Sequence, residues 1–211
     1  MSALIHPTYF PSVAHWVVIA HHQEQLVIES QDNYQKQTYR NRAYIYSPNG
    51  KQLLSIPIVH TKSSAHQKYN AVTIEDCYDW KKQHWKSIET AYRTSPYFEF
   101  YEDELKPFFK KKHHSLFEMN LESMELIAEC MQLEPFTYEF TSDFQPTYDS
   151  YLDKRSLVNA KTKHECDFDS YVQVFDDKHG FIPNLSILDL LFNEGPNALS
   201  YVLNLDLNQI P

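Results

Sequence analysis

Apolar and polar positions divide the chain into short blocks whose periods predict strands alternating with helices. Ala3-Leu4-Ile5 is an unbroken apolar run stopped by His6-Pro7, the pattern of a strand covered on both faces. Ser12 can cap the helix that follows, in which Val13, Trp16, Val17 and Ala20 recur at helical spacing. His21-His22 closes it, where a cation suits the helix dipole. Gln25-Leu26-Val27-Ile28-Glu29 is a second short strand, so the opening reads as a compact βαβ unit. Leu4-Ile5 is expected inside the sheet, parallel to Val27-Ile28. Ala43 to Tyr46 and Leu53 to Ile58 flank Ser47-Pro48-Asn49-Gly50, whose Asn-Gly signals a hairpin.

Further along, Asp79 can cap a helix from Trp80 to Tyr92, and Ser115 caps another that runs to Leu133. Tyr97 to Tyr101 fits a strand or a helix. Phe136 to Phe140 alternates as a strand does, and Tyr171 to Phe175 reads as another. Residues 60–70 are polar and expected to form a mobile loop, and 142–170 a long surface excursion. Gly180 is expected at a turn that needs positive φ. Asn184-Leu185-Ser186 opens a helix over Ile187 to Phe192, ended by Glu194-Gly195, and Pro196 begins the last helix, Asn197 to Leu203. The expected fold is α/β in one domain over residues 1–211: a small Rossmann-like sheet with flanking helices. A mixed hairpin over 43–58 either extends that sheet or forms a flap.

Composition narrows the chemistry. The 211 residues include only 3 Gly, where ordinary usage would give about 15. Neither glycine-dependent phosphate loop can be written. A net charge of -9 argues against non-specific binding to nucleic acid or an anionic membrane. Cys77, Cys130 and Cys166 are widely spaced and read as reduced thiols of a cytoplasmic protein. The N-terminus has no export pattern, and no apolar run approaches the ~18 residues that span a bilayer. The 11 histidines contain no H-x-x-x-H pair, so neither a metal nor a cofactor is expected.

Lys36, Arg40 and Arg42 crowd into seven residues, interleaved with amides that include Asn33 and Asn41. Guanidinium forks hold phosphate or carboxylate bidentately, so this cluster could clamp an anionic small molecule. It could equally be a solvated loop whose cations pair with nearby acids. His6 and Tyr9 lie on the loop after the first strand, at the carboxyl end where open α/β sheets bind ligands. That loop could instead be shaped by its prolines to pack Tyr9 and Phe10 inward. His84, between Trp80 and Ile88, is a candidate base or a half-buried structural histidine. Asp189 and Asn193 share a helix face. Asp189 would orient His84 or Arg40 if that face turned to the clamp, and would be a surface residue otherwise.

Several blocks in order resemble the WbqC-like proteins of bacteria. They are Asn33-Tyr34-Gln35-Lys36 through Arg40-Asn41-Arg42, Asn49-Gly50 through Ile58, Asp79-Trp80, His84-Trp85, Ala91-Tyr92, and Ser95-Pro96-Tyr97-Phe98. The last runs from Gly180-Phe181-Ile182-Pro183 to Gly195-Pro196. The resemblance covers nearly the whole length. It implies a part in making or modifying surface sugars such as O-antigen, without fixing a reaction. The first reading is an enzyme that modifies an amino sugar or sugar nucleotide, by acyl or aminoacyl transfer. Lys36, Arg40 and Arg42 would clamp the anion, Tyr9, Asn33 and Asn41 would orient the acceptor, and His84 or His6 would be the base. The alternative is a non-catalytic binder of an anionic metabolite (a sugar nucleotide or carboxylate) in the same pocket. A purely structural role follows if the clamp cations are paired with acids.

Overall fold

The computed structural model describes residues 1–59, 67–76, 78–161 and 168–211. Most of the loop expected over 60–70, together with Cys77 and Cys166, lies outside the described residues. Among those described, a four-stranded parallel sheet has the order β5-β2-β1-β6. The central pair is β1 (Ala3–Ile5) and β2 (Leu26–Ile28), both wholly buried. Leu4 pairs with Val27 and Ile5 with Ile28, as the apolar runs predict. The edges are β5 (Tyr138–Phe140), beside β2, and β6 (Leu152–Asp153), beside β1. β6 falls inside the stretch read as a surface excursion, and its two residues are too few to show a period.

Helix α1 (Val13–His21) joins β1 to β2 and buries Val13 through Ala20, so its surroundings, rather than a polar face, hold it in place. The Ser12 side chain does not cap it. Ser12 Oγ lies 3.0 Å from His15 Nδ1, and the first-turn donors go to the C-terminal block instead. Val13 N–H donates to the Leu185 carbonyl at 3.0 Å and Ala14 N–H to Asn184 Oδ1 at 2.9 Å.

The hairpin of β3 (Arg42–Ser47) and β4 (Gly50–Ser55) forms its own antiparallel sheet and does not extend the parallel one. Gly50 closes its turn at φ 88°. Its inner residues Ala43, Ile45, Tyr46 and Leu54 are buried. Helices α2 (Trp80–Tyr92) and α4 (Leu116–Cys130) carry the expected caps, Asp79 and Ser115. Tyr97 to Tyr101 resolves as helix: α3 (Phe98–Lys110) turns Phe98, Tyr101 and Leu105 inward.

Tyr171 to Phe175 is not a strand. Its alternation is real, with Tyr171 and Gln173 buried and Val172 exposed. The inward side chains, however, reach a carboxylate in α6 instead of a neighbouring strand. A short helix, α5 (Asp176–His179), follows, and Gly180 leaves it at φ 73° as expected. Helix α6 (Ile187–Glu194) ends at Gly195, whose φ is 54° and whose missing Cβ would stand 2.5 Å from the Tyr97 ring. Helix α7 (Ala198–Asn204) packs back on α1. Among the described residues, no helix is long and apolar enough to cross a membrane.

Candidate functional site

Every strand of the parallel sheet delivers a polar group at its carboxyl end. His6 follows β1, Glu29 follows β2, Thr141 follows β5, and Asp153 closes β6. Strand carboxyl ends are where open α/β sheets bind ligands. The loops beyond add Asp32, Arg40 and Arg155, and a cleft of about 400 Å³ opens among His6, Asp32, Arg40, Phe144, Asp153 and Arg155. That volume lies within the range of small-molecule sites.

Arg40 is the centre of the cleft floor, with its side chain fully buried. Its Nη2 donates to Asp32 Oδ2 at 2.6 Å and lies 2.9 Å from His6 Nε2. Its guanidinium carbon sits 5.1 Å from the centre of the Tyr69 ring. Nε and Nη1 have no hydrogen-bond partner among the described residues. His6 Nε2 is also 3.3 Å from Asp32 Oδ2. A neutral ring with its lone pair there takes an Nη2 hydrogen, and the other tautomer donates to Asp32. Burial, reinforced by the Arg40 charge, lowers the His6 pKa to about 4, so the ring is neutral at pH 7. Asp32 also accepts from the Asn33 N–H at 2.6 Å. Burial alone would raise its pKa, but His6 and Arg40 outweigh that and hold it below the usual range.

A second ionic group backs the first. Glu29, fully buried, accepts from Gln31 N–H at 2.8 Å, Thr141 Oγ1 at 2.9 Å and Arg155 Nη1 at 3.2 Å. Arg155 also pairs with Asp153, at 2.5 Å from Nη2, and donates to the Gln145 and Pro146 carbonyls at 2.9 and 3.0 Å.

Of the residues singled out from the sequence, the structure brings His6 and Arg40 together in the cleft, pairs Tyr9 with His84 away from it, and disperses the rest. Asn33 neighbours Asp32 through its backbone. Lys36 is exposed, and Arg42 opens β3, opposite Ser55. Asn41 Nδ2 donates to the Ile56 carbonyl at 2.9 Å. Tyr9 is fully buried, and its hydroxyl lies 3.0 Å from His84 Nδ1. His84 packs edge-on against Trp80, and burial lowers its pKa to about 4. Asp189 faces neither solvent nor the cleft. It accepts from Tyr92 OH at 2.9 Å, Tyr171 OH at 2.6 Å and Gln173 Nε2 at 2.7 Å. Glu29, Asp32, Asp153 and Arg155 were missed, although Glu29 directly follows β2 and Asp153 ends β6. The signal available for Glu29 was its place as the first charged residue beyond an apolar run.

Comparison with known proteins places the chain in a family. The model of the WbqC-like protein family matches residues 6–173 and 145–201. An uncharacterized protein of Mycobacterium tuberculosis, Rv1507c, is 27% identical over 225 residues, covering 95% of this chain and 96% of its own. No solved structure matches.

Proposed function

Because the chain belongs to the WbqC-like protein family, we propose that it is a transferase of surface-polysaccharide synthesis that places an acyl or aminoacyl group on an amino sugar or sugar nucleotide. The observation that carries this reading is the contact of a neutral imidazole, His6, with Arg40 on the floor of a cleft. Acyl transfer needs a lone pair to take a proton and donors to stabilise the oxyanion. His6 supplies the first, and the positive charge of the Arg40 guanidinium beside it answers to the second.

In the proposed step, the sugar nitrogen attacks the carbonyl carbon of an activated acyl ester or thioester. The C–N bond forms, and the carbonyl electron pair moves to oxygen, where Arg40 balances its charge. His6 takes the proton that the nitrogen sheds. The oxyanion then collapses, the ester or thioester bond breaks, and the leaving oxygen or sulfur receives that proton.

Pairing with Asp32 alone would suit a purely structural arginine. The imidazole contact favours chemistry. A non-catalytic anion clamp is disfavoured because Lys36 and Arg42 do not line the cleft beside Arg40.

The test is turnover of a panel of amino sugars and sugar nucleotides with acyl thioesters, followed by mass spectrometry. His6→Gln and Arg40→Lys should each lose about 100-fold or more in kcat, with His6→Gln melting near the wild type. Wild-type turnover by a folded His6→Gln variant would overturn the assignment.

A further inference from the structure

We infer that the sugar enters this cleft as a phosphate-free ring, seated on Phe144 and held at its hydroxyls or amine by Asp32 and Asp153. The inference rests on the transferase reading for what becomes of the sugar, but its own support is charge and shape. Around the cleft and its floor, Glu29, Asp32 and Asp153 bring three carboxylates, against the two guanidiniums of Arg40 and Arg155. His6 is neutral and adds no positive charge.

Both guanidiniums are already bound to acids, Arg40 to Asp32 at 2.6 Å and Arg155 to Asp153 at 2.5 Å. A phosphate would therefore share each guanidinium with a carboxylate and, among the described residues, sit in a field with one negative charge in excess. Hydroxyl and ammonium hydrogens face no such penalty. A carboxylate has about four acceptor positions. Among the described residues, the Asp32 carboxylate accepts from Asn33 and Arg40, with the His6 ring close by, and the Asp153 side chain is 29% exposed.

The remaining wall is half apolar, with Phe144, Pro146 and Val158 beside Gln35, Ser156 and Asn159. Phe144 is 41% exposed, beside Pro146. The Arg155 guanidinium carbon lies 5.5 Å from the Phe144 ring centre and 4.9 Å from that of Tyr148, so a pinned cation supports the ring. An aromatic platform with carboxylates at its edge suits a pyranose, whose C–H face is apolar and whose rim is made of donors. A nucleotide diphosphate finds neither a glycine-lined loop nor a free arginine pair here.

The experiment is saturation-transfer NMR on the full chain with glucosamine, N-acetylglucosamine, UDP-N-acetylglucosamine and inorganic phosphate. Glucosamine and N-acetylglucosamine should bind, phosphate should displace neither, and the UDP-sugar should bind no tighter than the free sugar. Phe144→Ala alters an exposed side chain and should leave the fold intact while weakening sugar binding roughly fivefold. Asp153→Asn should lower the preference for glucosamine over N-acetylglucosamine. A UDP-sugar that binds tenfold tighter, displacement by phosphate, or an unchanged affinity in Phe144→Ala would overturn the inference and leave the transferase reading standing. Failure of every sugar to bind, free or nucleotide-linked, would overturn both.

Discussion

Single buried groups give the protein opposing responses to pH. His6 and His84 each fall from 6.5 to about 4, chiefly through burial. Between those values the unfolded chain takes up protons that the folded chain refuses, so stability is lost as pH drops through the window. Asp189 acts in reverse. Burial raises its carboxyl from 3.8 to about 6, against three hydrogen-bond donors. Between those values the folded chain holds the additional proton, and stability grows as pH falls. Each group contributes a slope of about 1.4 kcal/mol per pH unit in its window. Urea midpoints of the wild type should therefore fall on acidification from about pH 6.5 to 4. His84→Gln, whose amide still meets Tyr9, should flatten that slope by about one proton, and Asp189→Asn should steepen it by a similar amount. A flatter slope in Asp189→Asn would show that its carboxyl is ionised throughout. Legibility at this scale was uneven for a physical reason. His6 and Arg40 stood out by type and position. Asp32 did not, because a lone acid in a polar loop looks the same whether it faces water or an arginine.

At the scale of elements, what could be read from sequence were those whose burial is set by their own residues. β1 and β2 are apolar runs, the hairpin announces itself by Asn49-Gly50, and α2 and α4 carry caps next to their first turns. What could not be read depends on partners distant in the chain. The alternation at Tyr171 and Gln173 points at Asp189, so a period of two appears without a strand. The start of α1 is capped by Asn184, which takes the Ala14 N–H at 2.9 Å. Asn184 itself sits at φ 55°, a conformation that asparagine tolerates better than most residues. Asn184→Gly keeps that backbone and deletes the cap, so it should cost about 1 kcal/mol in urea unfolding. Asn184→Ala should cost more, since it adds left-handed strain. If the glycine variant were as stable as the wild type, the cap would contribute nothing and Val13 N–H alone would secure the helix start.

For the whole molecule, the cleft joins residues from 6 to 159 only because the parallel sheet brings four strand ends to one edge. Its stability rests on a different pair from its chemistry. Glu29 is fully buried, and the Arg155 side chain is 10% exposed. Through Arg155, the loop that carries Gln145 and Pro146 is tied both to the end of β2 and to Asp153 in β6. Removing the cation leaves a buried carboxylate that, among the described residues, Gln31 N–H and Thr141 Oγ1 alone still serve. Arg155→Met should therefore destabilise by about 3–5 kcal/mol, the usual cost of stranding one member of a buried pair. Adding Glu29→Gln removes the stranded charge and keeps an acceptor for both remaining donors, so the double variant should recover a large share of that loss. The coupling between the two substitutions in a urea double-mutant cycle measures the pair directly. A loss below about 1 kcal/mol in Arg155→Met would place the pair among weak surface bridges. Simple additivity of the two substitutions would mean that Arg155 holds the edge through Asp153 and the loop carbonyls, with no contribution from Glu29.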